Sequence, residues 1–197
     1  MEENKTKAVM ISIRPEWGEK ILKKQKVLEV RRTAPLLRPP FKCYIYLTRG
    51  EFVLLKEHID DIAFTGYQSV PDELHILNRK VVAEFVCDRI ECLKAPDLPW
   101  SDPNGERECR ICKESCLTFD QIAEYGKGSN LWGWHISDLK IYDEPKKITD
   151  FEYPCPRPSG GYNCYGCKYQ EQISANKYGC NARVLRPPQS WCYVEDV

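Results

Sequence analysis

The sequence lacks net charge, long apolar runs and a supply of histidine. Its 197 residues balance 29 Lys and Arg against 29 Asp and Glu, which excludes a uniformly basic nucleic-acid-binding domain. No stretch approaches the roughly 18 consecutive apolar residues of a membrane-spanning helix, and the opening Met1-Glu-Glu-Asn-Lys has no apolar signal core. A cytoplasmic protein with no membrane contact is the expectation. A glycine-rich phosphate loop, an HExxH helix and a GxSxG elbow are also missing, so most familiar nucleotide-binding and hydrolase signatures are excluded. Of only three histidines, His135 lies between Trp134 and Ile136. It reads as a structural residue, because no motif ties it to a cysteine nucleophile.

The neutral total hides an uneven distribution. Residues 1–50 carry 12 basic and 5 acidic side chains, and residues 51–124 carry 8 and 16, so a basic face is compatible with zero net charge. Cysteine is the unusual residue here: there are eleven, an odd number without an export signal, which points to reduced thiols and metal ligands. Cys155, Cys164, Cys167 and Cys180 form a C-x8-C-x2-C-x12-C series in a segment too rich in Gly and Pro to build its own core. Four thiolates with one CxxC pair suit tetrahedral Zn²⁺, and metal would supply the order the segment lacks. Free thiols are the alternative. Cys109, Cys112 and Cys116 form a C-x2-C-x3-C group without a local fourth ligand. They form a candidate second metal site, and their order is not that of a radical SAM cluster. Cys43 and Cys87 fall on apolar strand faces and read as small buried hydrophobes.

Periodicity gives the elements. AVMISI, 8–13, reads as a strand, followed by a short helix opened by Pro15 with Trp17 and Ile21 on its buried edge; Gly18 weakens that helix. A second strand follows at 27–31. Residues 42–48 and 79–93 alternate as half-buried strands. Residues 51–78 read as helix and loop, and 95–108 as a loop. A helix begins at a Thr118/Gln121 capping box and stops at Gly126, and 139–142 is a further strand. This order suggests an α+β fold, a small mixed β-barrel with a few helices and a metal-stabilised C-terminal insertion.

The densest polar cluster is KKQKVLEVRR, 23–32. On a strand, Leu28 and Val30 pack inward while Glu29 and Arg31 lie side by side on a polar face. The simplest reading is a weak surface pair contributing about 0 to 1 kcal/mol. The cluster also resembles the GxKxxExR pattern of the ASCH domain family, of the PUA-like superfamily, with Lys24 in place of the glycine. ISIRPEWGEKIL and VVAEFV are similar to the same family, while WGWHISDLKIYDEP and RPPQSWCYVED resemble a prophage-associated branch of it. The resemblance covers roughly residues 8–151 and 184–196. It divides the chain into a PUA-like barrel at 1–151, a cysteine-rich insertion at 152–183 that is expected to bind zinc, and a segment at 184–197 that packs back on the barrel.

The resemblance implies a cleft for RNA or a modified nucleoside, lined by Lys26, Glu29 and Arg31, with Arg14, Trp17 and Trp134 nearby and Glu84 reaching in from a neighbouring strand. Lys26 and Arg31 suit phosphate, a carboxylate suits an exocyclic amine, and an indole suits base stacking. Both tryptophans read more simply as core. One branch of the family resembles small amidohydrolases acting on N4-acylated cytidine, and some members are ribonucleases. An enzyme of either kind would use Lys26, Glu29 and Glu84, but Glu29 stands where the amidohydrolase nucleophile, a threonine, would be. A third reading is a mobile-element module that contacts a host protein.

Overall fold

The computed structural model describes residues 7–60, 76–93, 106–155, 168–174, 177–180 and 182–197. Strand β1 (Lys7–Ile13) leads through helix α1 (Pro15–Leu22) to β2 (Leu28–Arg31) and β3 (Phe41–Leu47). A short helix α2 (Lys56–Ile59) precedes β4 (Val81–Leu93). Helices α3 (Glu106–Ser115) and α4 (Phe119–Gly126) then lead into the long β5 (Leu131–Lys146). A hairpin of β6 (Gln170–Ser174) and β7 (Lys177–Cys180) stands as a separate two-stranded sheet, and β8 (Trp191–Glu195) ends the chain's main sheet.

That sheet runs β2-β5-β4-β3-β1-β8. β1 and β3 are parallel, and the other neighbours are antiparallel. The expected barrel does not close, because β2 and β8 are its two edges. β2 is four residues long and runs into Pro35, Pro39 and Pro40, while β8 follows Pro187 and Pro188; residues without an N–H cannot extend a ladder across the gap. Side chains span it instead. Arg31 Nη2 donates to the Ser12 carbonyl at 2.6 Å, Arg31 Nη1 to Ser190 Oγ at 3.3 Å and Trp191 Nε1 to Thr33 Oγ1 at 2.9 Å, and the Leu36 N–H donates to the Tyr193 hydroxyl at 2.8 Å.

Strand alternation sorts the core onto two faces. Val9, Ile11 and Ile13 of β1, Cys43, Ile45 and Leu47 of β3, Ala83, Phe85 and Cys87 of β4 and Trp134 of β5 share one buried cluster, with Ile21 and Leu22 of α1. On the other face Ala8, Met10, Tyr44 and Tyr46 pack with Phe151, Val184 and Val194. β3, expected to be half-buried, is therefore covered on both sides. A third cluster joins Leu28 and Val30 of β2 to Ile111 of α3 and Ile122 of α4.

Two elements are longer than the sequence pattern suggests. The strand expected at 139–142 begins at Leu131 and contains Trp134 and His135; Asp138, at φ 47°, bends it at a bulge opposite β4 that breaks the alternation. The Cys109–Cys116 region, read as a metal-ligand series, supplies most of α3. At α4 the capping box forms as expected, with Thr118 Oγ1 accepting from the Gln121 N–H and Gln121 Oε1 accepting from the Thr118 N–H. Gly18 has a packing reason: a Cβ there would overlap Leu47 Cδ2, so α1 lies against β3 at a distance only glycine permits.

Candidate functional site

The site begins where α1 ends. Lys24, at φ 57°, reverses the chain in the left-handed region, and the N–H groups of Gln25 and Lys26 return to the Lys20 carbonyl at 2.8 and 3.0 Å. Glycine takes this conformation without steric cost, which accounts for a pattern with glycine at this position. The turn delivers Lys26 into the interior, where it is 2% exposed.

All three ammonium donors of Lys26 are in use. They meet the Leu28 carbonyl at 2.9 Å, the Ser115 carbonyl at 2.8 Å and Glu29 Oε2 at 3.3 Å. Ser115 is the last residue of α3, and the preceding Glu114 carbonyl accepts from the Val27 N–H at 2.8 Å. Two orphan carbonyls at a helix C-terminus thus find a cation and an amide, as the helix dipole favours. The ammonium also sits 5.7 Å from the centre of the Trp17 ring.

Glu29 Oε1 lies 3.0 Å from Arg31 Nε. The contact is coulombic, because Nε–H is not directed at the carboxylate and has no hydrogen-bond partner among the described residues. Glu29 and Arg31 are each 8% exposed. The surface-pair reading is therefore overturned: both faces of β2 are covered, one by aliphatic packing and the other by an ion triad with one positive charge in excess. Buried charges persist only where partners compensate their desolvation, and here backbone carbonyls of Leu28, Ser115 and Ser12 supply the remainder.

Glu84 does not join the triad. Ala83 and Phe85 point into the cluster that holds Trp134, so Glu84 between them points to the opposite face of β4, where its register partners are Tyr44 and Lys140. The Tyr142 hydroxyl donates to Glu84 Oε2 at 2.8 Å, and Lys140 Nζ is 3.4 Å from Oε1. Beside them the Tyr44 hydroxyl donates to Asp196 Oδ1 at 2.6 Å, and Lys42 pairs with the same oxygen at 2.8 Å. Burial first, and then the neighbouring carboxylates, push both phenols above the ordinary tyrosine range. Pairing of Lys26 with Glu84, which an amidohydrolase would need, is not formed.

No protein-family model matches the sequence, and no curated protein matches it. Solved structures do. A crystal structure of ASCH from Zymomonas mobilis superposes with a TM-score of 0.51 at 17% identity, over 97% of this chain and 88% of that one. A point mutant of the same protein gives 0.51 at 17% identity, over 94% and 87%. The fold is that of an ASCH domain.

Within this ASCH fold, Trp134 is 0% exposed, shares register with Glu29, and packs edge-on to Phe41 at 6.1 Å and tilted against Trp191 at 5.9 Å. Its Nε1–H has no hydrogen-bond partner among the described residues. Trp17 is partly buried against the same core, and Arg14 is exposed, its carbonyl capping α1 through the N–H groups of Trp17 and Gly18. His135 Nδ1 lies 2.6 Å from Asp88 Oδ1 at a half-buried position. Cys43 and Cys87 are fully buried, and burial pushes the Cys87 thiol up to about 12.

Of the cysteine series, Cys155 is exposed, and Cys112 and Cys116 are half-buried; Cys116 Sγ donates to the Gln25 carbonyl at 3.3 Å, beside Lys26. Cys164 and Cys167 lie outside the described residues, as do the side chains of Cys109 and Cys180. Among the described residues no group of three or more His, Cys, Asp or Glu is placed to hold a metal, and no helix is long and apolar enough to cross a membrane. Sequence reasoning missed Ser12, Ser115, Ser190, Thr33 and Trp191. The carbonyls of the first two carry no residue-specific signal, and the last three depend on β8 pairing with β1 across the whole chain.

Proposed function

We propose that this protein binds RNA or a modified nucleoside beside β2. The observation that carries the reading is the buried Lys26–Glu29–Arg31 triad at the open edge of an ASCH fold. Burying three charges is unfavourable for stability compared with an apolar filling of the same volume. A destabilising cluster kept at a sheet edge supports a functional reading of these residues. The carboxylate offers an acceptor to a base N–H, and the guanidinium a donor to an oxygen. The family resemblance supplies the ligand class.

Mobility-shift and nucleoside-titration assays test the reading on the wild type, on Arg31→Ala and, because Arg31 is buried, on the isosteric Glu29→Gln with its fold checked by circular dichroism. The wild type binds and the folded variants lose affinity. Absence of RNA and nucleoside binding in the wild type would refute it. We further propose that Cys155, Cys164, Cys167 and Cys180 hold a structural Zn²⁺, with about one zinc per chain expected by elemental analysis and none after all four are changed to Ser.

A further inference from the structure

The gap in the sheet and the two unpaired donors fall together. Among the described residues β2 and β8 share no strand ladder and are joined through side chains, so opening the seam between them would break no ladder. Along it stand Glu29 and Arg31 Nε, and Trp134, the register partner of Glu29, packs 5.9 Å from the Trp191 ring with its Nε1–H unpartnered among the described residues. A buried N–H without an acceptor costs about 1–3 kcal/mol and calls for an acceptor from elsewhere.

The same geometry disfavours phosphate. Lys26 has spent its three donors on two carbonyls and Glu29, and Arg31 is held by one bond from Nη1 to Ser190 and one from Nη2 to Ser12, with Glu29 3.0 Å from its Nε. An incoming phosphate would meet the Glu29 carboxylate, 8% exposed, where little water screens the repulsion between like charges.

We propose that the seam receives one uncharged nucleobase edge, with a base N–H donating to Glu29, base acceptors taking the N–H groups of Arg31 Nε and Trp134 Nε1, and phosphate left outside. Trp191 is the door, latched by its hydrogen bond to the exposed Thr33. This rests on the binding function proposed above and narrows it from phosphate to base recognition.

The test is titration of the four ribonucleosides, their 5′-monophosphates and a short single-stranded RNA, read by tryptophan fluorescence and calorimetry at low and raised salt. The wild type, Trp134→Phe and Thr33→Val are compared. The inference expects a nucleoside and its monophosphate to bind within about twofold of each other, with almost no salt dependence. Trp134→Phe loses roughly five- to tenfold in affinity, the loss of one hydrogen bond. Thr33→Val, which removes only the latch at an exposed residue, speeds association and keeps the assay decisive if Trp134→Phe folds poorly. Monophosphate or RNA binding that falls steeply with salt and is indifferent to both substitutions overturns the base-edge inference and leaves RNA binding standing. Absence of binding by nucleosides, monophosphates and RNA overturns both.

Discussion

The sheet holds two carboxylates in opposite settings. Glu29 lies between two cations, 3.3 Å from the Lys26 ammonium and 3.0 Å from Arg31 Nε, and those cations are anchored on backbone carbonyls. Glu84, on the other face, accepts from one phenol and contacts one lysine that is 74% exposed. The first arrangement is buried and desolvated, so every member depends on the others; the second is a local polar pairing that solvent can replace. Residue type does not distinguish them, and strand face does.

The largest test of this contrast is removal of each carboxylate. Glu29→Ala leaves two buried cations uncompensated and is expected to cost about 3–5 kcal/mol in urea unfolding. Glu84→Ala leaves the Tyr142 hydroxyl without its acceptor and releases Lys140, 74% exposed, to water, at about 1–2 kcal/mol. Equal losses would mean the two faces do not differ as described.

The packing on the triad side gives the next effect. Alanine is the better helix former by about 1 kcal/mol, yet Gly18→Ala should destabilise by about 1–3 kcal/mol because its methyl would meet Leu47, which is itself fully buried. A gain in thermal midpoint would show that α1 can lift away from β3 at little cost.

Alkaline titration separates the faces by a different property. Burial holds the Cys43, Cys87 and Cys192 thiols above their usual 9.0, and burial with the Asp196 and Glu84 contacts holds the Tyr44 and Tyr142 phenols above 10.0. The folded chain therefore keeps protons that the unfolded chain releases. Stability is full below about pH 9 and falls as pH rises toward about 12, because the unfolded state binds fewer protons throughout that window. Tyr142→Phe removes one such group from the Glu84 side. It should cost about 0.5–1.5 kcal/mol at neutral pH and make the alkaline decline shallower. An unchanged slope in pH-dependent urea unfolding would contradict the assignment.

How much of this was legible follows the distance over which each feature is encoded. The α4 capping box and the alternation of β3 and β4 are local, and they form where the pattern places them. The closeness of Glu29 and Arg31 was legible because two residues on a strand return to the same face. Their burial was not, since it depends on α3 and on Ser12 and Ser190, 19 and 159 residues from Arg31. Glu84 was misplaced for the same reason. VVAEFV fixes which residues alternate, but only the pairing of β4 with β3 and β5 decides which face meets Trp134. The open barrel depends on prolines flanking two edges that meet only in the folded chain.

The smallest effect bears on how the triad is delivered. Lys24 occupies the left-handed region at φ 57° and is exposed, so its side chain contributes no burial that its removal would forfeit. A non-glycine residue there is strained by about 1–2 kcal/mol, while glycine adds unfolded-state entropy that offsets about 0.5–1 kcal/mol of any relief. Lys24→Gly should therefore stabilise the protein by up to about 1 kcal/mol, read as a small rise in urea midpoint at unchanged m-value. The seam is untouched, so nucleoside affinity should stay the same. The equivalent substitution at Lys140, an exposed strand position on the Glu84 face, has no such strain to relieve and should be neutral or slightly destabilising. If Lys24→Gly instead lowers stability, the turn that carries Lys26 inward is held by the lysine side chain itself, and the backbone account of the glycine in the motif fails.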